Sequence, residues 1–501
     1  MSYVPTMIQA VDSKTEEYGV YLPSKIIREC KIPLTTLTIE FGSQQAQGTI
    51  IRQEQKNVTQ MTVPLLRTLR IPIGLLIQLR YDESAGKLIF GPYMGILLSR
   101  INHSNPSQPF AGITSFVEEI ADVCRKQGGI VSVFTPNDIQ WDSQSIRAMI
   151  RRNGTWRQST LPLPQCIYNR LPTREVEQTN LVSSSIQRFK DQQIPFFNEQ
   201  FLNKWDVYEA LAHHQTVGQY FPKTVRLQQS QDLKEMLADH RMVYVKPTSG
   251  SMGRGIYRIY NSSRGYHLQY AAMNGSVTKT YKEFASLYSS LNKRIRGKSY
   301  LIQQGLFLIG VNRKPADFRA LVQKNRRGKW SVTSLVARIG QNSIVSNVAR
   351  GGTLTSASRA LSVSGPWRAS VRPSPHALSS VALEIAQELE QSLAGHYAEM
   401  GIDLGVDVTG RIWLLEVNSK PSKADNTIQR KEPDEGEDVK EISIVRKIRP
   451  SARRIFDYST FLAGFSKLPK SSSIKSKSRK LKSGKAKIVR SKKVKQKGQR
   501  R

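Results

Sequence analysis

Residues Gly401 to Pro421 read Gly-Ile-Asp-Leu-Gly-Val-Asp-Val-Thr-Gly-Arg-Ile-Trp-Leu-Leu-Glu-Val-Asn-Ser-Lys-Pro. Two β-prone runs meet at a Thr-Gly pair, which predicts a hairpin. If Thr409-Gly410 is a two-residue turn, Val408 faces Arg411 and, counting back, Asp403 falls opposite Glu416. Side chains alternate along a strand, so Asp403, Glu416 and Asn418 share one face. Two opposed carboxylates with Cβ atoms about 5 Å apart repel unless a cation lies between them. Three hard oxygen donors converging on one point describe a Mg²⁺ site. An ordinary exposed hairpin is the alternative, although Glu416 lies between Leu415 and Val417. Asp407 shares the face but sits at the turn, where a solvated role is expected.

A second stretch, Val243-Tyr-Val-Lys-Pro-Thr-Ser-Gly-Ser-Met-Gly-Arg-Gly-Ile-Tyr, ends one strand pattern at Lys246 and begins another after three glycines. Glycines let backbone N–H groups approach an anion, and hydroxyls add donors. Ser249, Gly250, Ser251, Gly253 and Gly255 therefore suit a phosphate cradle. The G-x-x-x-x-G-K-[ST] order is absent and no helix pattern follows, which excludes a P-loop and a Rossmann fingerprint. A glycine-rich hairpin without a ligand is the alternative.

Between these lie Ile302-Gln-Gln-Gly-Leu, Asp317-Phe-Arg-Ala-Leu-Val, Ala337-Arg338-Ile-Gly and Ser346-Asn347-Val-Ala-Arg350-Gly351-Gly352. Arg319 and Arg338 fall at strand positions. Near a carboxylate–metal site they suit a transferring phosphoryl group or an acyl phosphate; taken singly, each also fits a structural ion pair.

The rest of the chain is mixed α/β. Residues 1–98 predict a small β-rich domain. Residues 99–177 predict a small α/β unit with a helix over 115–127 and a strand over 130–134. Residues 178–423 predict a larger α/β domain whose last long helix runs from about His376 to Met400 before the hairpin. No repeat of solenoid period is evident.

Charge divides the remainder. The chain has 75 Lys+Arg against 39 Asp+Glu, a net +36, yet Lys467 to Arg501 holds 16 bases and no acid. Residues 424–466 therefore read as a charged linker and 467–501 as a disordered, solvated Lys/Ser tail. A tail poor in aromatics offers no base stacking, which argues against nucleic acid as the partner and leaves nucleic-acid binding through the tail as the weaker alternative. The longest apolar run, Ile71 to Leu79, is far short of the ~20 residues a membrane span needs, and no signal peptide is visible. Cys30, Cys124 and Cys166 are too far apart for zinc spacing and fit ordinary thiols of a reducing compartment.

An early Lys204, Lys246 with its glycine loop, a Gln-rich hinge, Asp-x-Arg, an Asn-to-Gly-Gly loop and Asp…Glu-x-Asn occur in that order. The order resembles the ATP-grasp superfamily, and specifically the YheC/YheD family of endospore coat-associated proteins. Gly91-Pro-Tyr-Met-Gly-Ile-Leu, Tyr168-Asn-Arg-Leu-Pro-Thr-Arg and the Gly401 to Lys423 ending carry the likeness, which covers about Tyr18 to Lys423. The resemblance implies a pre-ATP-grasp-like unit at 99–177 and a two-lobed ATP-grasp fold at 178–423, with ATP and Mg²⁺ (Mn²⁺ as alternative) as cofactors. It implies Lys204 and Lys246 on the nucleotide phosphates, the loop Ser249 to Gly255 over the β- and γ-phosphates, and Gln303, Gln304 and Leu306 at adenine. It places Asp403, Glu416 and Asn418 on the metal and Arg319 and Arg338 beside the transferred phosphoryl group. The hinge departs from the commoner Gln-Glu pair. The activity implied is ligation of a carboxylate to an amine or other nucleophile, its two substrates unidentified. The setting implied is the cytoplasm of a sporulating cell or the spore coat, with the tail meeting acidic coat partners. A non-catalytic ATP-binding coat protein is the alternative.

Overall fold

Short alternating strands that cannot each bury a face alone close on one another between Tyr3 and Gly91. In the computed structural model, which describes residues 3–12, 17–54, 58–249, 255–272, 275–340, 352–368, 372–423 and 448–466, they form a seven-stranded closed barrel. The order is Tyr3–Val11, Val58–Thr62, Gly19–Pro23, Gln44–Gln53, Thr36–Phe41, Lys87–Gly91 and Leu76–Asp82, the last pairing with the first. Closure removes the unpaired edges that short strands otherwise expose.

Two helices, Ser24–Cys30 and Val63–Leu69, interrupt the strands. Each ends on a basic residue in the left-handed region, Lys31 (φ 55°) or Arg70 (φ 54°), followed by Ile-Pro. The first N–H beyond each bends back to a carbonyl of the last turn, Ile32 to Ile27 at 2.9 Å and Ile71 to Leu66 at 3.1 Å. Six of the seven barrel strands are thus two copies of one strand–helix–hairpin unit, to which Tyr3–Val11 is added, a repeat too divergent in its strands to show as sequence periodicity.

The second sheet runs Ile139–Gln140, Ser145–Arg152, Ile130–Phe134, Tyr93–Leu97, Cys166–Asn169 and Phe196–Phe197, with Thr155–Pro162 paired to Ser145–Arg152. Tyr93–Leu97 lies parallel to both its neighbours, so it belongs to this α/β layer rather than to the 1–98 domain. Phe196–Phe197 likewise carries the layer past residue 177. The amphipathic helix Thr114–Gln127 buries Phe116, Ile120, Val123 and Cys124.

Two antiparallel sheets follow. The first has the order Thr224–Leu227, Tyr300–Gln304, Met242–Pro247, Tyr257–Ser262, Gly265–Ala272 and Gly275–Tyr281. The second is built on Trp330–Ile339, Lys314–Lys324, Glu399–Val406 and Ile412–Asn418, backed by helix Pro375–Ser392. That helix stops well before Met400, contrary to the sequence expectation. Leu393 turns extended and Gly395 adopts φ 121°, and Met400 joins a strand.

The segment 424–466 is not wholly a linker. Helix Pro450–Leu462 buries Ala452, Ile455, Phe456 and Tyr458 in one core with Phe116 and Ile120. A Cβ on Gly129 would lie 2.9 Å from the Phe456 ring, so only glycine admits it there. Three basic residues and one acid over Arg449–Leu462 disguise this apolar face. Ile455→Ala is expected to destabilise the protein by at least about 2 kcal/mol, measured by urea denaturation. Residues 424–447 and the 467–501 tail lie outside the described residues. No described helix is long and apolar enough to cross a membrane. All three cysteines are free and buried, and burial pushes their thiol pKa values up, Cys30 to about 11.

Candidate active site

The hairpin brings Asp403 directly opposite Glu416, as the count requires, but by two offsetting shifts. Near the turn Val406 pairs with Ile412 and Leu404 with Leu414, one residue out of the expected register. Asp407 N–H binds the Arg411 carbonyl at 3.0 Å, so three residues, ending in Gly410 at φ 85°, make the loop. A bulge at Leu415 then restores the pairing of Asp403 with Glu416 and of Gly401 with Asn418. Asp407 caps the turn, accepting from Thr409 N (2.8 Å), Thr409 Oγ1 (2.6 Å) and Trp413 Nε1 (2.8 Å).

Strand Lys314–Lys324 sets Arg319 opposite Asp403 and Asp317 opposite Arg338. Arg319 clamps Asp403 through Nε and through Nη2 at 2.7 Å. Arg338 bridges Asp317 (2.6 Å) and Asp403 (2.8 Å). All four are buried. Burial alone would lift the Asp403 pKa, but the two guanidiniums outweigh it and hold the carboxyl below the usual range. Asp317 stands in the Asp-x-Arg motif without a role read from sequence; its place two residues before Arg319, on the same strand face, is the signal for one.

Glu416 is more open. Its carboxylate lies 3.4 Å from Lys204 Nζ, at the start of helix Lys204–Leu211, which Asn203 caps by accepting from Trp205 N at 3.0 Å. Lys246, near the end of its strand, donates to Gln303 Oε1 at 2.6 Å. Burial pushes its pKa down to about 8, with Glu416 opposing and nearby Lys204 adding to the fall. Asn418 Oδ1 accepts from Lys420 N at 3.0 Å.

The Gln pair has structural duties. Gln303 Nε2 reaches Thr224 Oγ1 (3.2 Å), and Gln304 Oε1 accepts from Lys223 N (3.2 Å). Gly305 follows because a Cβ there would strike the Met242 carbonyl at 2.6 Å, and Leu306 leads across to the second sheet. Ser249 and Gly255 flank the glycine loop, Gly255 at φ 70°. Gly250, Ser251 and Gly253, with Asn347, Arg350 and Gly351, lie outside the described residues.

Lys246, Gln303, Gln304, Leu306, Arg319, Arg338, Asp403, Glu416 and Asn418 line one cavity of about 2000 Å³, against roughly 300–1,000 Å³ for a pocket holding one small ligand. Among the described residues no three His, Cys, Asp or Glu side chains converge. A metal here would thus take two carboxylates and the Asn418 amide, with ligand oxygens completing its shell. That hard-oxygen set fits Mg²⁺, and both carboxylates already face cationic side chains.

A cavity between two antiparallel sheets, lined by Lys246 and an Asp…Glu-x-Asn hairpin, with Lys204 outside its lining but paired to Glu416, is the arrangement of the ATP-grasp class. The YheC/D like ATP-grasp family profile matches residues 193–462, and the chain belongs to that family, which implies ATP and Mg²⁺ as cofactors. It is 31% identical over 339 residues to endospore coat-associated protein YheD of Bacillus subtilis (strain 168), covering 67% of this chain and 73% of that protein. With YheC of the same organism it shares 24% over 313 residues, 61% of this chain and 84% of that one. Among solved structures, D-alanyl-alanine synthetase A from Vibrio cholerae aligns over 66% of this chain and 89% of its own, with 10% identity and a TM-score of 0.39.

Proposed function

We propose that this chain is a Mg²⁺-dependent ATP-grasp ligase that activates a carboxylate as its acyl phosphate and passes the acyl group to an amine or other nucleophile. The observation that carries the reading is the single cavity on which Lys246, Arg319, Arg338, Asp403, Glu416 and Asn418 converge. The relatives' names place them with the endospore coat, and the same setting is proposed here.

In this reading Lys204 and Lys246 hold the nucleotide phosphates and the loop from Ser249 to Gly255 covers them. The adenine lies against the backbone of Gln303, Gln304 and Leu306. Asp403, Glu416 and Asn418 hold Mg²⁺, which when bound supplies charge neutralisation on the phosphates. Arg319 and Arg338, fixed in orientation by Asp403 and Asp317, flank the phosphoryl group as it leaves ATP. Because the guanidiniums are already oriented, little reorganisation is needed as charge develops.

Lys246 gives this site a pH signature. Its ammonium loses its proton near pH 8 in the free protein, while a bound phosphate favours the charged form. Nucleotide binding therefore takes up a proton above about pH 8. The affinity for Mg·ADP is expected to stay flat from pH 6.5 to 7.5 and to fall severalfold by about pH 9.5. Lys246→Arg, charged throughout, is expected to flatten that fall; a titration series over this range checks both.

ADP release from Mg·ATP with pooled carboxylates and amines tests the reaction itself. Turnover that needs both substrates supports a ligase. Tight nucleotide binding with no ADP under any pair supports a non-catalytic ATP-binding protein instead.

A further inference from the structure

The second sheet carries a topological switch. Strand Tyr93–Leu97 has parallel neighbours on both sides, Ile130–Phe134 and Cys166–Asn169. The chain reaches the first through helix Thr114–Gln127, and continues outward from the second through helix Asn180–Asp191 to Phe196–Phe197. In open α/β sheets ligands sit in the crevice beyond the carboxyl ends of two strands whose connections diverge in this way. Those ends are Leu97 and Asn169. The residues that follow them, Arg100 and Arg170, line the same cavity as Arg319 and Glu416.

Arg170 is poorly served by the protein. Its side chain is only 10% exposed, with Nη1 3.9 Å from Glu399 Oε1, Nη2 3.4 Å from the Pro421 carbonyl and Cζ 5.8 Å above the Tyr168 ring. Its buried Nε and Nη1 have no hydrogen-bond partner among the described residues. Glu399 already accepts from Tyr168 Oη (2.8 Å), Gln323 Nε2 (2.7 Å) and Lys423 Nζ, and its Oε1 stays 3.9 Å from Arg170 Nη1, outside hydrogen-bond distance. Lys420, on the same wall, is committed to Glu177. A buried guanidinium with spare donors is unfavourable unless an anion takes them. Pro421 ties this crevice to the phosphoryl site: a Cβ on Gly401 would lie 3.0 Å from Pro421 Cβ and 3.3 Å from Arg319 Nη1.

We propose that Arg170 binds a carboxylate of the substrate in the switch-point crevice, beside the residues that flank phosphoryl transfer. The proposal rests on the ligase reading and deepens it. It assigns the acid substrate to the second sheet's side of the cavity and makes Arg170 a substrate-binding residue. The planar fork of a guanidinium matches a carboxylate two-to-two.

The test uses the full chain and glutarate, a simple dicarboxylate, titrated calorimetrically at saturating Mg·ADP. Wild type is expected to bind glutarate saturably. Arg170→Ala is expected to weaken it about tenfold to a hundredfold, and Arg170→Lys severalfold, while both keep wild-type affinity for Mg·ADP. Should Arg170→Ala fail to fold, Arg170→Lys decides alone. Glutarate affinity unchanged in a folded variant overturns the proposal, as does the absence of saturable glutarate binding in a wild type that binds Mg·ADP. Failure of wild type to bind Mg·ADP overturns the ligase reading instead.

Discussion

Asp403→Ala is expected to cost about 3–5 kcal/mol of stability, because it strips a buried carboxylate from two buried guanidiniums. Arg338 keeps Asp317, but Arg319 loses both of its bonds to Asp403. Isosteric Asp403→Asn keeps the volume and removes the charge, so it separates packing from electrostatics and should fall between the two. The sign with pH follows from the depressed carboxyl pKa. The stabilisation is present at and above the ordinary carboxylate range and disappears only as pH falls through the lower folded value. Urea denaturation of the three proteins should therefore show a gap at pH 7 that narrows in strong acid. A gap that stays constant with pH would mean that the ladder is held by packing and not by charge.

Glu416→Ala is the second large effect, and it works through the opposite property. Glu416 is half-buried and its only described ion pair is with Lys204; its loss also removes the charge that supports the Lys246 ammonium, which can respond by releasing its proton. Stability should change by about 1 kcal/mol or less. Nucleotide binding should change far more: altering groups that merely orient metal ligands costs 10–100-fold in affinity, so loss of a direct donor should weaken Mg·ATP binding by at least about 100-fold. Titration of ATP at fixed Mg²⁺ measures it, and thermal melts confirm that the variant stays folded. The contrast separates two carboxylates of one proposed site, Asp403, which also holds the fold, and Glu416, which chiefly serves the ligand.

The local elements that frame this site were legible because they rest on short-range chemistry. Alternation places Arg319 and Arg338 on strands, and apolar spacing with the Gly128-Gly129 stop locates the helix over 115–127, observed as Thr114–Gln127. The opposition of Asp403 and Glu416 was also reached, although a two-residue turn was assumed where Val408-Thr409-Gly410 make three. The bulge at Leu415 cancelled that error, and nothing in Leu414-Leu415 announces a bulge. What could not be read depends on distant partners. Barrel closure joins Tyr3–Val11 to Leu76–Asp82. Arg170 and Lys420 look like surface bases until their strands bring them to one wall. Helix Pro450–Leu462 is hidden by its arginines, since its apolar face makes sense only against Phe116 and Ile120.

The most direct test is calorimetric titration of the full chain with a non-hydrolysable ATP analogue, with Mg²⁺ and with chelator. A single site, filled one-to-one and strongly dependent on Mg²⁺, is the predicted result. Absence of binding, or binding indifferent to Mg²⁺, would contradict the assignment of Asp403, Glu416 and Asn418 to an ATP–metal site.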